Sequence, residues 1–369
     1  MRVILTGGCT GGHIYPAIAI GNKIREKRPN AEIIYVAHQW GLETTIVPKA
    51  GYDLKIVTAE WFDRKNPVRI AKTLMCTLKG RKEAYKIMKE FKPNVVISTG
   101  SFVSVPVVLA AHKYGARIYI QEQNAFPGLS NKILSKYARK IFLGFEKGRD
   151  QFDNPDKCIY SGNPVRADFY GRDKKQDREA LGVASEDFVI MAFGGSLGSS
   201  TINDIEIELI KEYGGKEGVT LILGAGRDYY DSVMETLEKE GLSDFSNVRI
   251  SPYIDGVPET LSVSDVVIAR SGALSVAEIT MSGRAAIFVP SPNVTADHQY
   301  FNAKAVADKG GAIIVRENDD TTKSVLSAVD ELKEEPSKCA KMGEASLSIA
   351  PTRAADIIYD EIMEDYVRQ

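Results

Sequence analysis

Short apolar runs, each followed by a glycine-rich or polar turn and most by a helical pattern, recur along this chain, and no other feature restricts its fold so tightly. The first series is RVILT, EIIYVA, NVVIS, RIYIQ and KIFLGF, followed by CIYSG. The second is FVIMAFGG, VTLILGAG, VRISPYI, DVVIARSG, AAIFVPSP and AIIVRE. These runs lack the alternation of apolar and polar residues that a half-solvated strand requires. They predict parallel sheets covered by helices on both faces. Segments such as IYPAIAIGNKIREKR, PVVLAAHKYG and DHQYFNAKAVADKG supply those helices. RVILTGGCTGGH and FVIMAFGGSLGSS open the two series alike, as strand, glycine-rich turn and helix, which indicates a repeated Rossmann-like unit.

A chain of 369 residues exceeds one ordinary core. The expected fold class is α/β, with two Rossmann-like, doubly wound parallel-sheet domains facing across a cleft. The expected boundaries are 1–164, 165–350 and 351–369. The join falls at SGNPVRADFYGRDKKQ, where Gly, Pro and charge replace the apolar runs. The last segment, RAADIIYDEIMEDYVRQ, reads as an amphipathic helix with Ile358 and Ile362 on one face, expected to pack back on the N-terminal domain. Ligands of such sheets bind at the carboxyl ends of the strands.

Charge and cysteine usage narrow the function. A net charge of −2 argues against general nucleic-acid binding. Cys9, Cys76, Cys158 and Cys339 are far apart with no C-x-x-C pair, which predicts neither a disulfide framework nor a zinc site and fits a reducing compartment. The first residues do not resemble a signal peptide. The longest apolar stretch, VSVPVVLAA, falls well short of the ~18–20 residues of a membrane span.

The opening GGCTGGH places Gly7, Gly8, Gly11 and Gly12 before a helix, where backbone N–H groups can approach phosphate. A dinucleotide fingerprint needs an acid at the end of the second strand, and His38 stands there. A P-loop needs Lys-Ser/Thr after the glycines, and none follows. His13 is either a polar helix-start residue or a base facing the cleft. A helix N-terminus disfavours imidazolium and leaves a neutral ring ready to accept a proton. In the second half, FGGSLGSS offers another anion site with Ser196 as a donor. In ARSGALSVAEI, Ser271 and Gly272 open a helix and Glu278 is placed to accept from ribose hydroxyls, or else lies on a solvated face. Asp297, His298 and Gln299 form a cluster suited to a hydroxyl-rich ligand, with no second cluster to complete a metal site. In QEQNAFPG, Glu122 and Asn124 end a strand and are cleft candidates; the alternative for Asn124 is helix capping.

VRIAKTLMCTLKGRKEAYKIMKEFK is strongly basic against a near-neutral whole. Ile70, Leu74, Met75 and Leu78 form an apolar stripe among Arg69, Lys72, Lys79, Arg81, Lys82, Lys86 and Lys89. Such a stripe faces either the core or an anionic membrane surface.

In combination, TGGCTGGHIYPAIAI, QEQNAFPGLSNK, SGNPVR, FGGSLG, RSGALSVAEI and DHQYFNA occur in the order found in MurG-type glycosyltransferases of family 28, and the chain resembles that family from Met1 to about Val315. The resemblance implies the GT-B fold and an inverting transfer of N-acetylglucosamine from UDP-GlcNAc to undecaprenyl-pyrophosphoryl-MurNAc-pentapeptide. It implies a peripheral location on the cytoplasmic face of the bacterial membrane, where anionic lipid meets the basic stripe. It implies no cofactor or metal. By motif match, Thr10, Gly11, Gly12, Asn124, Arg166, Ser196, Ile254, Ala273, Leu274, Ser275, Val276, Ala277, Glu278 and Gln299 contact the donor. Ile254 would hold uracil through its backbone, Glu278 the ribose and Gln299 the sugar hydroxyls. His13 is the expected base, and Arg166 or Arg270 would help the helix N-termini meet the charge on departing UDP.

The chain departs from the family's usual pattern at Leu197, where GGSQG has glutamine, and at Ser101 and Phe102, where G-G-Y-V-S-G-P has glycine and tyrosine. Cys9 in the opening loop is also unusual. A UDP-GlcNAc 2-epimerase on the same two-domain fold is the competing expectation, and a non-catalytic nucleotide-sugar-binding regulator is a third.

Overall fold

The computed structural model describes residues 1–62, 66–195, 198–350 and 353–367. The chain forms two compact units, one made of 1–166 with 353–369 and the other of 167–352.

The first unit runs β1 (Arg2–Thr6), α1 (Gly11–Lys27), β2 (Glu32–Ala37), α2 (Glu43–Lys49), β3 (Asp53–Ile56) and α3 (Pro67–Phe91). It continues with β4 (Val95–Ser98), α4 (Ser104–Tyr114), β5 (Arg117–Glu122), α5 (Leu129–Leu134), β6 (Lys140–Leu143) and β7 (Cys158–Tyr160). The second contains α6 (Lys174–Leu181), β8 (Phe188–Phe193), α7 (Ser200–Tyr213), β9 (Val219–Gly224), α8 (Tyr230–Lys239), β10 (Val248–Ser251) and α9 (Val257–Val263). Then come β11 (Val266–Ala269), α10 (Ala273–Met281), β12 (Ala285–Phe288), α11 (His298–Ala307), β13 (Ala312–Ile314), α12 (Thr321–Glu334) and α13 (Pro336–Ser348). The closing helix, α14 (Ala354–Val367), belongs to the first unit.

The strand orders are β3-β2-β1-β4-β5-β6-β7 and β10-β9-β8-β11-β12-β13. Each pairing between described strands is parallel. The lack of alternation in the sequence has its counterpart here: β4, β9, β11 and β12 are buried along their whole length. The order reverses between β1 and β4 in one sheet and between β8 and β11 in the other. At each reversal the loops leaving the two strands turn to opposite faces, and a ligand can enter between them.

Two helices place features that matter below. In α3, Asn66 caps the start through bonds from the N–H groups of Val68 and Arg69, with Pro67 at the first helical position. Its second half packs inward: Gly80, Ala84 and Met88 are buried, and a Cβ on Gly80 would lie 1.9 Å from the carbonyl oxygen of Thr58. Its first three turns stay exposed. Helix α14 buries Ile358 and Ile362 in the core that contains β1, β5 and β6. It is pinned there by Lys140–Glu361 at 2.6 Å, Arg139–Asp365 at 2.6 Å and Lys23–Asp356 at 3.2 Å.

In α7 the buried face carries Ile202, Ile205, Leu209 and Ile210, and Glu206 lies among them with no exposure. Burial pushes its carboxyl well above the ordinary 4.5, offset only in part by the backbone N–H of Gly224. A raised value means that stability is full below about pH 4.5 and declines as pH rises towards the folded-state value, at about 1.4 kcal/mol per pH unit. Glu206→Gln, neutral at all pH, is therefore expected to raise Tm, with a gap over the native chain that widens from pH 5 to pH 8. Thermal melts across that range check it, and a constant gap would refute the buried-acid account.

Candidate active site

In the first unit the site grows from the contact between the loops after β1 and β4. Gly7 and Gly8 let these loops close: a Cβ on Gly7 would stand 2.0 Å from Thr99 Oγ1, and one on Gly8 would stand 2.8 Å from Glu43 Oε1. Thr99 Oγ1 donates to the carbonyl of His13 at 2.6 Å, and His13 Nδ1 lies 2.8 Å from the carbonyl oxygen of Thr99. A carbonyl only accepts, so in the neutral form of the ring Nδ1 carries the proton and Nε2 the lone pair. Gln123 Nε2 donates to the same Thr99 oxygen at 2.9 Å. Gly100, at φ +98°, passes beneath the ring; a Cβ there would lie 3.3 Å from His13 Cε1 and 3.1 Å from Asn131 Nδ2. Thr10 is the N-cap of α1 without a side-chain cap bond; the His13 N–H donates to the Thr10 carbonyl at 3.1 Å, and the N–H groups of Gly11 and Gly12 stand at the open end of the helix.

Glu122, read from the sequence as a ligand-facing candidate, proves to be a support. It is 1% exposed and accepts from the backbone and side chain of Asn124 at 2.9 and 3.2 Å, from the Gly128 N–H at 3.1 Å and from Asn131 Nδ2 at 2.8 Å. Asn124 therefore does not cap a helix; the N-cap of α5 is Gly128. Its orientation is set by Glu122. Behind it, Gln121 and Asn163 are joined at 3.0 Å, and Asn163 Nδ2 donates to the carbonyl of Gln123. Arg166 is exposed at the last residue before the chain enters the second unit. The sequence reading missed Thr99, Gln123 and Asn131; their signal was polarity at the ends of NVVIS and RIYIQ and after the Pro-Gly turn.

In the second unit the equivalent place is the turn from β8 to α7. Ser196 and Leu197 lie outside the described residues. Ser199 caps α7, accepting from the Ile202 N–H at 3.4 Å, and Arg270 Nε donates to the same hydroxyl at 3.0 Å. Arg270, expected as a ligand for the leaving group, is engaged within the protein. It also donates to the Val289 carbonyl at 3.0 Å and to Glu317 at 3.2 Å through each terminal nitrogen. Burial raises the Glu317 carboxyl, but bonds from Arg270 and Thr201 outweigh it and hold the group below its ordinary value.

Helix α10 starts after Gly272 and divides its motif between two faces. Ala273 and Val276 are buried, whereas Leu274, Ser275, Ala277 and Glu278 remain partly exposed. Asn302 Nδ2 donates to the carbonyl of Ser271 at 3.2 Å, tying α11 to this turn. Ile254 lies in irregular backbone after β10, its side chain over Gly224, where a Cβ would be 3.1 Å away. Gln299 Oε1 accepts from the Ser291 N–H at 2.9 Å, so its amide nitrogen is the part left to donate to a ligand. Asp297 is paired with Arg316 and so leaves the proposed hydroxyl-binding cluster. Among the described residues no group of three or more His, Cys, Asp or Glu side chains gathers as a metal site would require.

Residues 3–143 match the glycosyltransferase family 28 N-terminal domain, and residues 189–359 its C-terminal domain. The chain is 40% identical to the UDP-N-acetylglucosamine–N-acetylmuramyl-(pentapeptide) pyrophosphoryl-undecaprenol N-acetylglucosamine transferase of Clostridioides difficile, over 99% of this chain and 89% of that protein. It is 38% identical to the enzyme of the same name in Alkaliphilus oremlandii, over 98% of each. Among solved structures it resembles MurG of Acinetobacter baumannii, with TM-score 0.76 and 25% identity over 98% of this chain and 99% of that one. A UDP-GlcNAc 2-epimerase from Neisseria meningitidis shares the fold at TM-score 0.70 and 16% identity, over 99% of this chain and all of that one.

The hydrogen bond between His13 and Thr99 yields a spectroscopic expectation. The neutral His13 ring is the Nδ1–H tautomer, and long-range ¹⁵N–¹H correlation of a ring-labelled sample should show Nδ1 protonated and Nε2 bare. The reverse pattern would remove the geometric basis for a lone pair available at Nε2.

Proposed function

The chain belongs to glycosyltransferase family 28, and from that membership we propose that it transfers N-acetylglucosamine from UDP-GlcNAc to the lipid-linked MurNAc-pentapeptide acceptor, with inversion at the anomeric carbon. The observation that carries this reading is full-length similarity to transferases named for that reaction, joined to a first-unit histidine whose Nδ1 is engaged by the Thr99 carbonyl.

In the transfer, the acceptor hydroxyl oxygen forms a bond to the anomeric carbon as the bond from that carbon to the UDP oxygen breaks. The hydroxyl proton passes to His13 Nε2, and the electron pair of the broken bond leaves with UDP. Positive charge grows on the sugar ring while negative charge grows on the diphosphate. The N-terminus of α7, whose first-turn N–H groups and dipole favour an anion, is our candidate for meeting that charge. Glu278 takes the ribose hydroxyls, the backbone at Ile254 the uracil, and the amide of Gln299 the sugar hydroxyls. Epimerases, which share only the fold with this chain, require no acceptor, so the two chemistries separate in one assay. UDP release from UDP-GlcNAc should depend on a short-chain lipid-linked MurNAc acceptor, and His13→Ala should lower kcat by about 10²–10⁴-fold. Acceptor-independent turnover or formation of an epimer from UDP-GlcNAc alone would overturn the assignment.

The same reading gives α3 a partner. No helix among the described residues is long and apolar enough to cross a membrane. Leu74, Met75 and Leu78 are 62, 71 and 51% exposed, and Ile70 lies beside them, among Lys72, Lys79, Arg81 and Lys82. An anionic bilayer suits that face, with each close Lys or Arg adding about 1 kcal/mol. Leu74→Asp combined with Met75→Asp should abolish co-sedimentation with vesicles containing anionic lipid. Neutral vesicles should bind the native chain at least about tenfold more weakly. Equal binding to both vesicle types would remove the electrostatic part of the proposal.

A further inference from the structure

The proposed donor contacts leave out a carboxylate that ties their supports together. Glu317 lies beyond the end of β13, and its two oxygens accept from the two terminal nitrogens of Arg270 at 3.2 Å each and from the hydroxyl of Thr201, in the first turn of α7. Arg270 in turn reaches Ser199, the N-cap of α7, and the Val289 carbonyl just past β12. One ion pair thus joins the ends of β11, β12 and β13 to the start of α7. Both side chains are mostly buried, at 14% and 23% exposure. Four hydrogen bonds from one guanidinium leave it one donor short of its full complement, so it is poorly placed to serve as the phosphate ligand itself.

We propose that Glu317 is a positioning residue for the donor: it fixes Arg270 in one orientation and, through Arg270 and Thr201, holds the N-terminus of α7 where the diphosphate of UDP-GlcNAc meets it. The inference rests on the donor reading above and adds the residue that sets its phosphate end. Ser199 and Thr201 are both in or next to the first turn, so loss of the carboxylate releases that turn at two points. The nucleoside contacts proposed at Ile254 and Glu278 lie on other elements, one in the loop after β10 and one on α10. A defect confined to α7 should therefore be felt by the phosphates and not by the nucleoside.

Calorimetric titration of UDP and of uridine into the native chain, Glu317→Gln and Thr201→Val tests this. Glu317→Gln should weaken UDP by about 10–100-fold, the worth of one or two charge-assisted hydrogen bonds, while uridine affinity stays within about twofold. Thr201→Val, which removes only the hydroxyl, should show the same split at smaller size and covers the case in which the glutamine variant does not fold. Equal losses for UDP and uridine would mean a merely structural role and overturn the proposal. Tighter UDP binding in Glu317→Gln would also overturn it, by making Arg270 a phosphate ligand that Glu317 holds back. Unchanged UDP affinity in both variants would overturn it as well. A native chain that binds neither UDP nor uridine would instead sink the donor reading, and the inference with it.

Discussion

A backbone carbonyl that can only accept decides which nitrogen of His13 keeps its proton, and much of the first unit serves to put that carbonyl in place. Thr99 stands one residue past β4, across the reversal of strand order from β1. The two loops can meet there only because Gly7 has no side chain, since Thr99 Oγ1 occupies the space a Cβ would need. The exchange of bonds between Thr99 and His13 then fixes the loop and the ring together. Gln123 on the neighbouring strand end adds a second donor to the same oxygen, which keeps the carbonyl from turning away. Tautomer, ring orientation and loop position are thus one constraint and not three.

The second unit solves the same problem with charge. Its sheet reverses between β8 and β11, and there a side chain also crosses from one loop to the other: Arg270 reaches Ser199 at the start of α7. A guanidinium this buried needs a partner, because an uncompensated charge in such a place costs several kcal/mol. Glu317 meets that need and, by also holding Thr201, binds the helix it supports. In the first unit a histidine stands at the crossing, its Nδ1 held by the Thr99 carbonyl. In the second, a paired arginine stands there, suited to hold a helix dipole still.

The difference between what could and could not be read from the residues follows from how local the cause is. RVILT and FVIMAFGG announce buried parallel strands because burial on both faces suppresses alternation, and this is visible in five residues. DLKI was not among the runs read as strands; β3 sits at the sheet edge, where three of its four residues are exposed, and its polar residues hide it. The stripe of α3 was ambiguous for a similar reason. Gly80, Ala84 and Met88 make the core contact, one or two turns beyond the residues that looked most apolar. Glu122 and Arg270 were singled out as facing a ligand, and both are bonded within their own fold; residue type and strand-end position do not announce such partners. Glu317 carried no signal at all. Its role exists only because β13 pairs with β12 and β12 with β11, which is a property of the sheet and not of the segment.

The departures in the loops after β1 and β4 follow the same physical terms. Ser101 stands where related enzymes carry glycine, and it adopts φ +74°; Cys9, in the opening loop, adopts φ +72°. For residues with a Cβ, each such conformation costs on the order of 1 kcal/mol or more and persists only where neighbours over-determine it. Here they do. The Cys9 thiol is pushed up chiefly by burial and drawn the other way by the Ser101 hydroxyl beside it. The Cys9 N–H is held by Glu43 at 3.1 Å, from a carboxylate with no exposure at the start of α2. Phe102 follows directly and meets the ring of His38 edge-on at 5.8 Å. The two strained loops therefore approach each other at Cys9 and Ser101 as well as at Gly7 and Thr99. That arrangement ties the conformation of these loops to residues 9, 43 and 101 together, and Ser101→Gly would relieve the backbone there while removing the hydroxyl beside Cys9.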